Sequence, residues 1–417
     1  MIGDAAAVAV VGPGLMGLGI ARVTAAAGLR VVLVGRDGAA ASAGRQRLAE
    51  QLAREVDRGR LGSGAADALL ARVTAAADDG ALAACGLAVE TVAEDRAVKV
   101  AVLQRLQWAL PPDALIATNT SGLPIGGLAR ALEAPGRFIG LHFFSPVDRM
   151  PLVEVVRGAA TSPATLRDAL AFVRRIGQQP VVVRDGPGFF ASRVFCAYLD
   201  EALAMVGEGV APQRIESAAL AGGRLIGPLA VIDDISIALN WQQVLQARAD
   251  GLTAERCRPL AAPVLERMVG QWRLGRRQGG GFLDAGDSGA RLPWPGLAAL
   301  FPPAAVQPDA DEVGHRLRAA EAIEALRCVE QGVVASADDA DTASVLGLGF
   351  PRASGGVLRW VESVGLDRFV AGCDALAARH GPRFAPSAAL CEAAALGLGL
   401  ARWRVRTANG AFGGATR

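Results

Sequence analysis

The chain is short of the side chains that usually carry polar chemistry. Among 417 residues there are one tyrosine, three histidines and a single lysine, Lys99, so every other one of its 43 basic residues is arginine. Six cysteines, Cys85, Cys196, Cys257, Cys328, Cys373 and Cys391, contain no CxxC pair. That spacing argues against a disulfide framework or a zinc site, predicts no metal centre, and fits small buried hydrophobes in a reducing, cytoplasmic setting. A surplus of charge is missing too: a net charge of +2 is too small for a polyanion-binding surface, so nucleic acid is not an expected partner. Long apolar runs are also lacking. The uncharged stretch from Ala5 to Ala21 follows Asp4, where a signal would carry positive charge, and is broken by Gly12, Pro13, Gly14, Gly17 and Gly19. No segment supplies the roughly 20 apolar residues that cross a bilayer, and no membrane attachment is expected.

What is present is hydrophobic mass, 52% of residues, on a length that suits two or three domains. The opening reads as strand, turn, helix, strand: Ala7 to Val11 is apolar and β-branched, Gly12 to Gly17 is a turn, Leu18 to Ala27 is helical, and Val31 to Val34 is a second buried strand. Short apolar runs at Leu87 to Glu90, Leu115 to Thr118, Phe138 to Phe144, Leu152 to Val156 and Val181 to Val183 continue the pattern. They suit a doubly wound sheet covered on both faces, in a domain spanning residues 1–184. Beyond it strand-like runs vanish. A helical domain is expected over residues 185–285, a Gly- and Pro-rich linker over 286–309, and a second helical block over 310–405. Glu201 to Val210 (EALAMVGEGV) and Glu324 to Val333 (EALRCVEQGV) agree at six of ten positions, which suggests a tandem duplication of one helical domain.

Gly12-Pro-Gly14-Leu15-Met16-Gly17 lies between a buried strand and a helix, where a dinucleotide fingerprint must lie. Gly12 allows the tight turn, Gly14 the approach of a pyrophosphate, and Gly17 close packing of helix on strand, while the helix N-terminus attracts the diphosphate. A ligand-free Gly-rich turn is the plainer alternative. At the end of the second strand, where an acidic side chain would meet the adenosine ribose, the chain has Gly35 and Arg36, then Asp37. Space at Gly35 and a guanidinium at Arg36 favour NADP(H), whereas Asp37 would repel a 2′-phosphate.

His142 and Glu154 each interrupt an apolar strand, and the loop between those strands is short. A carboxylate holding one ring N–H fixes the imidazole tautomer and stabilises the imidazolium, which makes a general base for an alcohol. The pair could equally be a satisfied buried contact with no chemical duty. Asn119-Thr120-Ser121 follows a strand at the carboxyl edge of the sheet, where its side chains could bind a ligand or where Ser121 could simply cap the next helix.

Taken in order, GPGLMGLGIA, ETVAEDRAVK, NTSGLPI, GLHFFSPVDRMPLVEV and DGPGFFASR closely resemble the 3-hydroxyacyl-CoA dehydrogenase family, most of all the dehydrogenase portion of multifunctional fatty-acid oxidation proteins. The likeness covers nearly the whole chain. It implies a Rossmann-type α/β N-terminal domain followed by an all-α C-terminal domain, and oxidation of (S)-3-hydroxyacyl-CoA by a nicotinamide cofactor, NAD(H) or NADP(H). It further implies His142 as base, Glu154 as its partner, Ser121 at the substrate oxygen, and Glu94 and Lys99 near the nicotinamide and its ribose; Asn119 is expected at the cofactor from its place after the strand. Ser192 stands where many members have Asn and is expected to face the substrate. If the duplication is real, a second helical copy takes the place of a dimer mate and a monomer suffices; a homodimer is the other possibility. The competing functional readings are a non-catalytic dinucleotide-binding subunit and a different Rossmann β-hydroxyacid or imine reductase.

Overall fold

The structure is a computed structural model that describes residues 7–253, 257–286, 290–400 and 403. Its chain divides into two compact units, Met1–Ser192 with Gly332–Gly347, and Arg193–Gln331 with Leu348–Arg417. No helix among the described residues is long and apolar enough to cross a membrane.

The first unit is built on one eight-stranded sheet: β1 (Ala7–Val11), β2 (Val31–Val34), β3 (Val73–Ala76), β4 (Cys85–Glu90), β5 (Leu115–Thr118), β6 (Phe138–Phe143), β7 (Leu152–Arg157) and β8 (Gln179–Arg184). The strand order is β3-β2-β1-β4-β5-β6-β7-β8. Neighbours pair in parallel except β6 and β7, which are antiparallel with His142 opposite Glu154. The direct β6–β7 connection is what permits that reversal, since parallel neighbours need a long crossover. The sequence reading passed over β3, whose VTAA has only one strongly apolar member.

Helices α1 (Leu15–Ala26), α2 (Gly38–Asp57), α3 (Ser63–Ala71), α4 (Arg96–Ala109), α5 (Ile125–Ala129) and α6 (Pro163–Arg175) connect these strands. Helix α1 begins directly after Gly14, three residues earlier than sequence periodicity suggests. Leu18, Ile20, Leu33, Val89, Leu141 and Phe172 are among the buried residues of its core.

The second unit is helical. Its chain runs through α7 (Ala191–Gly207), α8 (Pro212–Ala221), α9 (Pro228–Ile235), α10 (Ile237–Ala249) and α11 (Ala262–Gly270), then β9 (Leu283–Ala285), β10 (Arg291–Pro293) and α12 (Leu297–Leu300). There follow α13 (Ala310–Glu330), then α14 (Ala337–Gly347), which belongs to the first unit, and α15 (Val357–Val364), α16 (Leu366–His380) and α17 (Ala388–Ala395). Two expectations about boundaries need correcting. Residues 286–309 are not a free linker, because β9 and β10 pair and Leu297 and Phe301 are buried in the helical core. The second helical block is not a separate piece either, because residues 332–347 belong to the first unit. Val334 bridges Val183, Arg184 N donates to Val333 O at 2.8 Å, and α14 lies against β7 and β8. An edge strand leaves backbone groups unpaired, and this segment meets β8 at that edge through the Val334 bridge and the Val333 carbonyl.

Candidate functional site

The glycine turn has the shape a pyrophosphate needs. Gly12 has φ +108°, and a Cβ there would meet Thr91 O at 2.9 Å; one on Gly17 would lie 1.9 Å from Gly12 O. A Cβ on Gly14 would meet nothing within 4 Å, so the approach above the turn is open. No side chain caps α1, which leaves its first N–H groups, beginning at Leu15 and Met16, available to an anion. The residues therefore fit a dinucleotide.

At the adenosine end, Gly35 has a packing reason of its own. A Cβ there would lie 2.5 Å from Ala41 N and 2.8 Å from Asp37 O, so the close start of α2 demands glycine. Room for a 2′-phosphate is not needed to explain it. Asp37 Oδ1 caps α2 by accepting from Ala40 N at 2.7 Å, and chiefly for that reason its carboxyl is held below the usual range. The Arg36 side chain is 90% exposed, and its Nε donates to Asp37 Oδ2 at 3.2 Å.

His142 and Glu154 meet: Nδ1 lies 2.7 Å from Oε2. The other carboxylate oxygen, Oε1, accepts from Phe190 N at 3.2 Å and Ala191 N at 2.8 Å, where α7 begins. Glu154 is wholly buried and His142 is 6% exposed. A carboxylate without water survives only when its lone pairs are used, and here an imidazole and two amides use them. With Nδ1 committed, Nε2 is the nitrogen left to exchange a proton. The ring packs 4.5 Å from Phe144 and 6.1 Å from Phe189, centroid to centroid.

The loop after β5 is held from several directions. Glu94 Oε1 accepts from Thr120 Oγ1 at 2.5 Å and from Ser121 N at 3.0 Å. Asn119 Oδ1 accepts from Phe143 N at 2.8 Å and so ties the end of β5 to β6 beside His142. Ser192 Oγ donates to the Ser121 carbonyl at 2.9 Å.

Lys99 is 1% exposed, far more enclosed than a residue lining a cofactor groove would be. Its Nζ donates to Glu90 Oε1 and Oε2 at 2.9 and 3.1 Å, reaches Val92 O at 3.4 Å and pairs with Glu94 Oε2 at 3.3 Å. Glu90, fully buried, also accepts from Thr118 Oγ1 and Val92 N. A compact ammonium fits among two carboxylates and a carbonyl where a planar guanidinium would not, which explains why this position keeps lysine in an arginine-only chain. Sequence reasoning missed Glu90, although a carboxylate closing the apolar run Leu87 to Glu90 was the available signal.

It also missed a cavity of about 310 Å3 within the first unit, lined by Gly19, Arg22, Arg54, Arg58, Ser145 and Arg149 among others. Arg22 is the most satisfied of its arginines, with two bonds to Glu55 at 2.8 and 2.7 Å and Asp148 at 3.5 Å. Arg54, Arg58 and Arg149 are exposed. These residues are spread over α1, α2 and the loop after β6, and their convergence leaves no mark in linear spacing.

Residues 7–186 match the family described as 3-hydroxyacyl-CoA dehydrogenase, NAD binding domain, and residues 188–285 match 3-hydroxyacyl-CoA dehydrogenase, C-terminal domain. A similar curated protein is the fatty acid oxidation complex subunit alpha of Shewanella frigidimarina, 33% identical over 399 residues. The alignment takes in 94% of this chain but 55% of that one, so the chain spans about half the length of the curated relatives it matches. Among solved structures, 3-hydroxybutyryl-CoA dehydrogenase from Escherichia coli K12 aligns with TM-score 0.79 at 28% identity, over 94% of this chain and 99% of the other. (S)-3-hydroxybutyryl-CoA dehydrogenase from Ralstonia eutropha aligns with TM-score 0.62 at 33% identity, over 67% and 98%. With both family descriptions matched in order on a sheet that carries the glycine turn and a helical unit after it, this chain belongs to the 3-hydroxyacyl-CoA dehydrogenase family.

Proposed function

We propose that the chain catalyses reversible oxidation of (S)-3-hydroxyacyl-CoA to 3-ketoacyl-CoA, with His142, Glu154 and Ser121 as the reacting centre. The observation that carries this reading is the 2.7 Å contact of His142 Nδ1 with a Glu154 whose other oxygen is anchored by Phe190 and Ala191. His142 Nε2 takes the proton of the substrate hydroxyl. Glu154 stabilises the imidazolium that results and keeps the ring oriented. Ser121 holds the substrate oxygen as hydroxyl and as ketone. A nicotinamide held at the glycine turn would supply the hydride acceptor for C3. Gly12, Gly14, Leu15, Met16 and Gly17 hold its diphosphate, while Glu94, Lys99 and Asn119 act by shaping the walls around it. Beyond Arg22, which Glu55 and Asp148 already neutralise, the exposed Arg54, Arg58 and Arg149 around the 310 Å3 cavity provide charge for CoA phosphates, in a protein that has no second lysine to offer.

Arg36 admits NADP(H) beside NAD(H). It is exposed, but it must leave Asp37 to bind a 2′-phosphate, so the preference over NAD(H) is small. The helical region is a tandem duplication: helices α7 to α11 have 17, 10, 8, 13 and 9 residues, and α13 to α17 have 21, 11, 8, 15 and 8. A chain with both copies works as a monomer, which light scattering tests directly, and its place is the cytoplasm.

The function is tested by following NADH and NADPH oxidation with acetoacetyl-CoA and longer 3-ketoacyl-CoA substrates. Turnover is expected with both cofactors. No turnover with either would overturn the activity, and turnover with NADH alone would overturn the role of Arg36.

A further inference from the structure

The segment Asp185–Ser192 joins the two halves of the proposed reacting centre. At its start, Asp185 accepts from Ile125 N and Gly126 N, each at 2.7 Å, and so fixes the beginning of α5, four residues after Ser121. In its middle, Gly188 N donates to Gly122 O at 3.4 Å, and Phe189 takes a left-handed φ of +48° with its ring beside His142. Phe190 N and Ala191 N then hold Glu154, and Ser192 Oγ holds the Ser121 carbonyl at 2.9 Å. One short stretch thus grips the base's partner and the oxygen-binding loop, and a shift of either relative to the other must pass through it.

We propose that Ser192 is a positioning residue: it does not touch substrate but sets where the Ser121 hydroxyl stands relative to His142 Nε2, by donating to the Ser121 backbone carbonyl. The inference rests on the dehydrogenase reading above, and it reassigns a side chain that the family resemblance placed at the substrate. The serine hydroxyl is the only donor this side chain has, and it is already used on the loop. Glu94 accepts from Ser121 N, so the two peptide units that flank the Ser121 side chain are both held, one at its N–H and the other at its C=O. Releasing one of the two lets the hydroxyl drift by a fraction of an ångström, and misplacement on that scale is enough to slow a positioned reaction.

The experiment is a double-mutant cycle of Ser192→Ala with Ser121→Ala, read as kcat, as KM for NADH, and as the isotope effect with 4-deuterated NADH. Ser192→Ala alone is expected to lower kcat about tenfold, leave KM for NADH unchanged and raise the isotope effect, because misalignment slows the chemical step. Ser192→Thr, which keeps the hydroxyl, is expected to restore kcat to within about twofold. In the Ser121→Ala background, where no hydroxyl remains to be positioned, Ser192→Ala is expected to cost nothing further. Losses that multiply in the double variant would overturn the inference while leaving the dehydrogenase reading intact, since Ser192 would then act on its own. A near-normal Ser121→Ala enzyme would overturn the reading itself. Should Ser192→Ala fail to fold, Ser192→Cys carries the same comparison with a weaker donor of similar volume.

Discussion

Both units bury charge, and they use it for opposite ends. In the sheet unit, Glu90, Lys99, His142 and Glu154 lie within or beside β4, β6 and β7, and their bonds lead to the Ser121 loop or to the imidazole. In the helical unit, Arg316 and Glu201 are buried as deeply, yet they join helix to helix: Arg316 Nε donates to Glu201 Oε1 at 2.7 Å and Arg383 Nε to Glu201 Oε2 at 2.7 Å. Arg224 bonds the buried Glu321 while lying 4.3 Å above the Tyr198 ring. Desolvating these ions costs several kcal/mol apiece in either place. The difference lies in what is left over. Glu321 Oε1 aside, the helical pairs spend their bonds on each other, whereas the sheet cluster leaves one imidazole nitrogen and one serine hydroxyl unspent.

That contrast can be broken by substitution. The largest effect is expected from His142→Gln: a fall in kcat of about 10³-fold, with cofactor affinity and melting temperature nearly unchanged. Steady-state kinetics and cofactor titration check it, and normal turnover would erase the distinction between the units. Lys99→Met comes next, because it strands Glu90 in an apolar interior; a loss of about 3 to 5 kcal/mol in denaturant unfolding is expected, and Lys99→Arg is expected not to recover it. Arg316→Met should cost about 2 kcal/mol, less than Lys99→Met since Glu201 keeps Arg383. Its kcat at low temperature should match wild type, and a lower kcat would give the helical pairs a part in the chemistry.

The smallest effect concerns pH. Burial, the dominant cause, pushes Glu216 up to about 7 and Asp233 up to about 6 from ordinary values of 4.5 and 3.8. Both belong to the helical unit. Each folded carboxyl holds its proton more tightly than the unfolded one does. Their stabilising contribution is therefore full below about pH 4 and is lost as pH climbs toward 7. Melting temperature should decline across that window, and Glu216→Gln should flatten the decline. An unaltered slope would remove Glu216 from the account.

The same contrast explains what could be read from residue order. A histidine and a glutamate inside apolar strands are conspicuous because a period-2 strand has no reason to turn a charge inward, and the glycine turn is conspicuous because its spacing is local. Lys99 drew attention by rarity, but its partner Glu90 is nine residues away and its role in bracing Glu94 depends on tertiary placement. In the helices an arginine or glutamate occurs on nearly every turn, so nothing distinguishes buried Arg316 from half-buried Arg318 on periodicity alone. Gly35 was legible as an anomaly and misread as to cause: the backbone of α2, not a phosphate, occupies the space.

The docking of residues 332–347 along β8 has a practical corollary. A fragment ending at residue 285 would retain both stretches that match the family, yet it would lack the bridge at Val334 and the cover of α14. Its terminal ribbon would be bare, sticky and apt to recruit strands from other molecules. Modules delimited by homology and modules delimited by folding thus part company here: the first unit is complete only in a chain that extends through Gly347.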